Sequence, residues 1–166
     1  MRKLILILVI SVIAILSLLI SLKQNKVKQL KTIIPEFTLT TLIGDTIIFN
    51  KSNFPTKLIL NFYSYDCTLC MAEISDIISF SRENSIPILF ISADSLGTII
   101  SFTEELKSQG ISDEDKISFA RVSLQDVYGV FGSLAVPQSV LFEEGLKIKM
   151  VKKGILSRND LLKSFE

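Results

Sequence analysis

Two cysteines separated by two residues constrain this chain more than any other feature. Cys67 and Cys70 are its only cysteines, and they follow the largely apolar run Leu58–Tyr63 and precede a stretch with helical periodicity. A strand that ends in C-x-x-C at a helix start places the first sulfur at the exposed helix N-terminus, where free N–H groups and the helix dipole favour a thiolate. The pattern predicts a dithiol redox site in which Cys67 attacks a disulfide and Cys70 resolves the mixed disulfide.

Two other interpretations of the cysteine pair stay open at this point. A structural zinc site needs about four Cys or His ligands, but the chain has no histidine and no third cysteine, so zinc would require an intermolecular site. The pair could also be two buried, unreactive thiols. C-x-x-C beside a strand and helix pattern favours redox chemistry over both.

The N-terminus predicts a membrane anchor. After Met1-Arg2-Lys3, the run Leu4–Leu22 carries no charge and only three serines, and it is long enough to cross a bilayer core. No A-x-A-like cleavage site follows it. We therefore expect an uncleaved single-pass anchor over residues 1–31 in the cell membrane, rather than a cleaved signal peptide.

The charges that flank this anchor do not favour export of the rest of the chain. Arg2 and Lys3 precede the apolar run, whereas four lysines follow it within ten residues, and the positive-inside rule places the more basic side in the cytoplasm. Long domains cross the membrane largely regardless of such charges, and a dithiol protein is most useful where disulfides form. We expect the C-terminal domain to be extracytoplasmic.

Residues 32–166 have the length of one domain that can build its own core. This part holds twelve basic and seventeen acidic residues, while the anchor and its flank hold six basic and no acidic ones. The domain is thus negatively charged, and nucleic acid is excluded as an expected partner.

Strand and helix patterns alternate along this domain. The helix predicted over Cys67–Glu83 has an apolar stripe that should face a sheet. The other predicted helices are 95–108, a turn at 126–131, and one capped by Ser157 that ends at Phe165. The predicted strands are 37–41, 46–49, 57–63, 86–92, 117–122, 139–143 and 147–151.

Three segments carry a resemblance to a known family. Pro35-Glu36-Phe37-Thr38-Leu39 with Gly44 resembles a P-x-F-x-L…G opening, Leu60 to Cys67 resembles L-N-F-W-A-T-W-C, and Ala135-Val136-Pro137 resembles a V-P-x-x-x-hydrophobic segment. On these motifs the chain resembles the thioredoxin superfamily, and within it the membrane-anchored TlpA/ResA-like thiol-disulfide oxidoreductases. The resemblance implies an α/β thioredoxin-like fold: a central mixed β-sheet flanked by helices, with an N-terminal β-hairpin and an N-terminal transmembrane helix.

The resemblance also implies site residues and partners. It makes Val136-Pro137 a cis peptide bond facing Cys67, and it makes the backbone of Val136 a docking point for an extended client segment. The implied client is a disulfide-containing exported protein, and the implied electron donor is an integral-membrane thiol carrier. The redox-active disulfide Cys67-Cys70 would serve without any further cofactor.

Glu73 is the most informative acidic residue. It lies three residues after Cys70 and beside the apolar stripe of the predicted helix, where partial burial would raise its pKa. Such a carboxyl could move protons for the cysteine couple, a role that the resembled family gives to a glutamate at this offset. The alternative is a solvated acid that only interacts with the helix dipole.

Asp66 stands where the resembled family has a tryptophan. Its charge should raise the pKa of Cys67 and oppose the helix dipole. Tyr65 and Tyr63 could supply aromatic surface near the site, or could be ordinary strand residues. We place Tyr65 and Asp66 with Val136 and Pro137 in the expected client-binding surface.

Three functions compete on the sequence alone. The leading one is a tethered oxidoreductase that reduces or exchanges disulfides. A peroxiredoxin-like thiol peroxidase shares the opening motif, but its cysteine normally pairs with an arginine, for which Arg82 and Arg121 are the candidates. A binding module that kept the fold without the chemistry is the third.

Overall fold

The computed structural model describes residue 34 and residues 36–54, 56–111 and 116–165. The expected membrane anchor (residues 1–31) and Pro35 of the opening motif lie outside these residues. No helix within the described ranges has the length and apolar character needed to span a bilayer.

Seven strands and four α-helices form the described part of the chain. The strands are β1 (Phe37–Thr41), β2 (Thr46–Phe49), β3 (Leu58–Phe62), β4 (Ile88–Ser92), β5 (Ile117–Val122), β6 (Gln138–Glu143) and β7 (Lys147–Lys153). The helices are α1 (Thr68–Asn84), α2 (Leu96–Ser108), α3 (Leu124–Phe131) and α4 (Arg158–Phe165), and a 3₁₀ turn at Glu144–Leu146 joins β6 to β7.

All seven strands belong to one mixed sheet in the order β2-β1-β5-β4-β3-β6-β7. The three central strands β3, β4 and β5 are parallel to one another, whereas β1, β2, β6 and β7 pair antiparallel with their neighbours. Parallel neighbours require crossover connections, which α1 and α2 provide. The sheet therefore has the mixed architecture that the resemblance implies.

The alternation of side chains along β3 determines what lies beneath the C-x-x-C segment. Ile59 and Tyr63 belong to a buried cluster that also contains side chains of α1, α2 and α4. Because successive strand residues point to opposite faces, Asn61 points to this same face. Phe62 points the other way and stacks on Phe131 of α3, with ring centroids 6.0 Å apart.

Helix boundaries follow capping side chains. Serine Oγ atoms accept hydrogen bonds from backbone N–H groups at the starts of α2, α3 and α4, at Ser95, Ser123 and Ser157. The cap at Ser123 starts α3 at Leu124, two residues before the predicted turn. Pro87 precedes β4 rather than lying within it, because proline cannot donate to the ladder of a central strand.

Candidate active site

The cysteine pair lies at the carboxyl end of β3, where α1 begins. Cys67 is the N-cap of α1, with the extended backbone of a cap residue (φ −93°, ψ 102°). Cys67 and Cys70 form a disulfide with Cα atoms 5.2 Å apart. The backbone N–H of Cys70 also donates to Cys67 Sγ at 3.1 Å. The first turn of α1 thus directs a backbone dipole at the first sulfur, as its position predicts.

The two cysteines differ in burial. Cys67 is half-buried, whereas Cys70 is fully buried in the cluster between the sheet and its helices. A client sulfur can therefore approach Cys67 but not Cys70. This asymmetry is what an attacking Cys67 and a resolving Cys70 would require.

The residues before Cys67 form the exposed rim of the site. Tyr65 is 44% exposed, and its ring meets Phe102 edge-on with centroids 5.7 Å apart. Asp66 is exposed beside it. Tyr63, by contrast, is buried in the core, so of the two tyrosines only Tyr65 can offer aromatic surface to a client.

Glu73 is buried at 1% exposure on the face of α1 that packs on the sheet. Its Oε1 accepts a hydrogen bond from Asn61 Nδ2 (2.7 Å), and its Oε2 accepts one from the backbone N–H of Leu156 (2.6 Å). Burial raises the pKa of this carboxyl, and the two hydrogen bonds lower it in part. The alternative of a solvated helix acid is wrong, because the stripe of α1 takes Glu73 into the core.

Asn61 of β3 connects Glu73 to a second strand, β6. Its Nδ2 also donates to Ser139 Oγ at 2.9 Å. Asn61 and Ser139 are directly opposite each other in the antiparallel pairing of β3 with β6. The three side chains, all buried, form a polar cluster one helical turn beyond the disulfide.

The peptide bond between Val136 and Pro137 is cis, as the resemblance implies. Val136 is half-buried and, like Cys67, packs against the cluster that contains Cys70. Within the described part of the chain, no hydrogen bond engages the backbone of Val136. Its N–H and C=O therefore remain available to an extended segment, whereas the carbonyl of Pro137 already accepts from Gly154 N–H at 2.9 Å.

Gln138 secures the loop that leads into this peptide bond. The side chain is fully buried. Its Nε2 donates to the carbonyls of Ser133 and Ala135, and its Oε1 accepts from Ser133 Oγ. One amide thus holds both ends of the Ser133–Ala135 segment.

Comparison with solved structures identifies the architecture. StoA from Bacillus subtilis superimposes with a TM-score of 0.58 at 18% identity, covering 81% of this chain and 99% of that one. A thio-disulfide isomerase from Thermus thermophilus gives 0.61 at 17% identity over 78% and 89% of the two chains. The exposed lipoprotein thioredoxin of Streptococcus pneumoniae gives 0.57 at 16% identity over 78% and 96%. The chain has the thioredoxin fold.

Comparison with family models and curated sequences does not reach this result. No protein-family model matches the chain, and no curated protein sequence matches it. The assignment therefore depends on the arrangement of strands and helices, in which the thioredoxin fold places the C-x-x-C at a strand-to-helix junction beside a cis-proline loop.

The thioredoxin fold separates Arg82 from the cysteines. Arg82 is in the last turn of α1, fifteen residues after Cys67, which is about 22 Å along the helix. Its Nη2 donates to the carbonyl of Gly110 at 2.8 Å. Arg82 is therefore excluded as the arginine partner of a peroxidatic Cys67.

Four site residues, Asn61, Ser139, Asp94 and Gln138, were not assigned a role from the sequence. Asn61 is a polar residue within an apolar strand, which is the one signal that could have pointed to a buried partner. Asp94 accepts from Tyr65 N–H and Ser64 Oγ, and Gln138 holds the Ser133–Ala135 segment. Neither of these two stands out in the sequence, because polar residues are usual in such loops.

Proposed function

We propose that this protein is a thiol-disulfide oxidoreductase that reduces or exchanges disulfides in client proteins. The observation that carries the proposal is the Cys67–Cys70 disulfide, with one sulfur half-exposed at a helix N-cap and the other buried one turn later. A dithiol in this arrangement can open and close a disulfide without moving its backbone. A thio-disulfide isomerase from Thermus thermophilus and a thiol:disulfide interchange protein from Chlorobium tepidum share its fold.

The exchange proceeds in two balanced steps. The Cys67 thiolate attacks one sulfur of the client disulfide, so that a Cys67–client bond forms and the client S–S bond breaks. The released client thiolate takes up a proton. Cys70, as a thiolate, then attacks Cys67 Sγ, forms the Cys67–Cys70 bond and releases the second client sulfur, which also takes a proton. The client gains two electrons and two protons, and the cysteine pair loses them.

Glu73 serves this cycle as a proton acceptor and donor for Cys70. Cys70 is buried among apolar side chains and loses its proton before the second attack. Of the carboxyl groups in the described ranges, only Glu73 is buried, and it follows Cys70 by three residues on the same helix. Its raised pKa keeps it able to exchange a proton closer to neutral pH than an ordinary glutamate.

The client segment binds along the surface between Tyr65 and Val136. The free backbone N–H and C=O of Val136 pair with an extended client strand, and Pro137 turns the chain so that this backbone stays accessible. Tyr65 and Asp66 form the opposite rim. Backbone pairing recognises extended conformation rather than sequence, which suits clients that are not yet folded.

We further propose that the domain is tethered to the cell membrane by residues 1–31 and works on its extracytoplasmic face. Exported proteins with disulfides are then its clients, and an integral-membrane thiol carrier returns two electrons and two protons to the Cys67–Cys70 pair. The apolar run Leu4–Leu22 supports the tether. The exposed lipoprotein thioredoxin of Streptococcus pneumoniae, which shares the fold, is a precedent for the location.

The activity test uses the full chain in detergent with a disulfide-bonded model protein and dithiothreitol as the electron source. We expect Cys67→Ser to abolish client reduction and Cys70→Ser to accumulate a mixed disulfide between Cys67 and the client. Ser75→Ala, on an exposed position of the same helix, is the matched control and should act as wild type. Full activity of Cys67→Ser would reject the enzyme and leave a binding module.

The reduction potential then gives the direction of exchange. We expect a single two-electron transition near the thioredoxin value of about −270 mV, well below the about −120 mV of the oxidant DsbA. The same protein should consume hydrogen peroxide no faster than a free thiol. Rapid peroxide consumption that survives Cys70→Ser would favour the peroxidase.

The location test compares thiol labelling in whole cells. After mild reduction, a membrane-impermeant maleimide should label Cys67 in intact cells, and the protein should stay with the membrane fraction after a high-salt wash. Labelling only after the cells are opened would place the domain on the cytoplasmic side. Recovery in the soluble fraction would reject the tether.

A further inference from the structure

The side-chain amide of Asn61 is fully buried and only half satisfied. Its Nδ2 donates to Glu73 Oε1 at 2.7 Å and to Ser139 Oγ at 2.9 Å. Its Oδ1 is also buried but has no hydrogen-bond partner within the described part of the chain. Buried polar atoms nearly always have a partner. The unpartnered Oδ1 belongs to an amide that contacts Glu73, whose carboxyl is the only buried one in the described ranges. It therefore requires an explanation.

The observed orientation suits only one protonation state of Glu73. Both carboxylate oxygens accept hydrogen bonds, one from Asn61 and one from the Leu156 backbone, which is the arrangement of an ionised group. If Oε1 carried a proton, its O–H would point at an N–H of Asn61. Two donors would then face each other in a buried space.

Reversal of the amide removes this conflict. The oxygen and nitrogen ends of an asparagine side chain have nearly the same shape, so a half-turn about the last bond exchanges them without repacking. Oδ1 would then accept the O–H of a protonated Glu73. Ser139 Oγ, which is both a donor and an acceptor, would donate to Oδ1 instead of accepting from Nδ2.

We propose that Asn61 is a two-position switch that reverses its side-chain amide when Glu73 gains or loses a proton, with Ser139 as the hydroxyl that accommodates both positions. This inference deepens the proposed function, on which its role in the redox cycle rests. Asn61 is a positioning residue, because it acts on the cysteines only through Glu73. In the protonated state Oδ1 accepts from Glu73 and Ser139, and Nδ2 takes the buried position in which Oδ1 now has no partner.

The elements packed around Glu73 supply few other ionisable groups. Cys70 precedes it on α1, β3 contributes Asn61, β6 contributes Ser139, and the segment before α4 contributes the N–H of Leu156. No charged side chain accounts for the raised pKa of Glu73, which arises from burial and is lowered in part by the two hydrogen bonds. The pKa of Glu73 therefore depends chiefly on its burial and on the hydrogen bonds from the Leu156 backbone and Asn61.

The switch completes the proton balance of the cycle. When a client disulfide is reduced, Glu73 takes the proton of Cys70, Asn61 turns Oδ1 to the new O–H, and the Cys70 thiolate forms the disulfide with Cys67. Glu73 then gives this proton up to the client sulfur that leaves, and Asn61 returns Nδ2 to the carboxylate, which is the position seen beside the Cys67–Cys70 disulfide. When an external dithiol reduces the disulfide, the same steps run in reverse, and the dithiol supplies two electrons and two protons.

Nuclear magnetic resonance of the full chain in detergent, with labelled asparagine, glutamate and serine, tests the reversal. Above the Glu73 midpoint we expect through-space contacts from the Asn61 Hδ2 protons to the Ser139 β-protons. Below it these contacts should be lost, with the same midpoint as the Glu73 carboxyl carbon. The Asn84 amide, which donates to the carbonyl of Phe80, serves as the unmoved internal reference. Contacts that persist on both sides of the midpoint would overturn the proposal.

Glu73→Gln provides the matched control for this measurement. It keeps the shape of the carboxyl but cannot titrate, so the Asn61 signals should become independent of pH. An Asn61 titration that persists in Glu73→Gln would show that another group drives it and would also overturn the proposal.

A functional readout separates the switch from simple packing. A charge-assisted hydrogen bond is about twice as strong as a neutral one, so Asn61→Leu should disfavour the ionised form of Glu73 more than the protonated form. We expect the pH at which the reduction potential changes slope to rise by about one unit, a tenfold change in the proton dissociation constant. Asn84→Leu should leave it in place, and an unmoved slope change in Asn61→Leu would contradict the switch.

Failure of this inference is distinguishable from failure of the proposed function. The resonance experiment uses the oxidised protein and needs no client. Exchange activity with a fixed Asn61 would reject only the switch. A reversing Asn61 in a protein without exchange activity would reject the oxidoreductase and keep the switch.

Discussion

Asp94 accepts a hydrogen bond from the backbone N–H of Tyr65 at 2.8 Å, and this contact joins the ends of the parallel strands β3 and β4 at the active site. The second carboxylate oxygen of Asp94 accepts from Ser64 Oγ at 3.2 Å. The backbone of the segment between β3 and Cys67 is also held by Tyr63 N–H, which donates to the Ile91 carbonyl at 3.0 Å, and by a turn in which Cys67 N–H donates to the Ser64 carbonyl at 3.1 Å. Asp94 therefore sets the path of the chain into the helix N-cap and the position of the Tyr65 rim.

Asp94→Ala should loosen this segment. It removes both hydrogen bonds to a charged acceptor, each of which contributes about 1.5 to 3 kcal/mol when sheltered. Because the site is partly open to solvent, we expect a loss of about 1 to 2 kcal/mol in the free energy of unfolding, measured with urea on the oxidised protein. Asp94→Asn keeps an acceptor for Tyr65 N–H and should lose less. Equal losses in both variants would show that the charge, and not the hydrogen bond, matters.

Gln138→Leu should weaken client binding without slowing the sulfur chemistry. The substitution keeps the approximate volume but leaves the carbonyls of Ser133 and Ala135 without their donor, so the loop before Val136 loses its fixed position. We expect KM for a protein client to rise about tenfold, equivalent to roughly the 1.4 kcal/mol of one net hydrogen bond. The rate with a small aromatic disulfide should not change. Gln125→Leu, on the exposed face of α3, is the matched control. If Gln138→Leu slowed the reduction of the protein client and of the small disulfide equally, a role limited to the loop would be contradicted.

Tyr63→Phe should stabilise the protein. The ring of Tyr63 is packed against Phe90 and Phe102, but its buried hydroxyl has no hydrogen-bond partner within the described residues. Burial without a partner costs about 1 to 3 kcal/mol, so removal of the oxygen should raise the free energy of unfolding by about 1 kcal/mol. Tyr65→Phe, at the exposed rim, should change it little. A destabilised Tyr63→Phe would indicate that a water molecule satisfies the hydroxyl.

The local elements could be predicted from the sequence because each carries its own signal. The apolar run before Cys67 and the stripe from Cys70 onward identify β3 and α1 within one or two residues, and Ser157 marks the start of α4. The order of strands could not be derived in this way. The pairing of β1 with β5 attaches the β1–β2 hairpin to one side of the sheet and joins residues about eighty positions apart. No local pattern encodes such a contact.

The same limit applies to the site. Glu73 could be predicted because its offset from Cys70 and its neighbours lie on one helix. Its partners could not, because Asn61 and Leu156 lie 12 and 83 residues from Glu73 in the chain. Ser139, which accepts from Asn61, lies 78 residues from Asn61 on another strand. These contacts depend on the register of β3 with β6, which only the folded sheet specifies.

Glu73→Gln should change how stability depends on pH. The pKa of the carboxyl is raised in the folded state, so the folded protein holds a proton that the unfolded chain releases. Between the ordinary pKa of a glutamate and the raised folded value, the free energy of unfolding of the wild type must therefore fall as pH rises, by about 1.36 kcal/mol for each pH unit that separates the two pKa values. Glu73→Gln cannot ionise and should lack this fall, although the loss of an acceptor adds a constant penalty.

The slopes are compared by urea unfolding of the oxidised proteins from about pH 4 to about pH 9, a range that spans the ordinary and the raised pKa. The exposed Glu104→Gln is the control. Parallel curves for wild type and Glu73→Gln would mean that Glu73 titrates alike in both states, and its role as a proton store would be rejected.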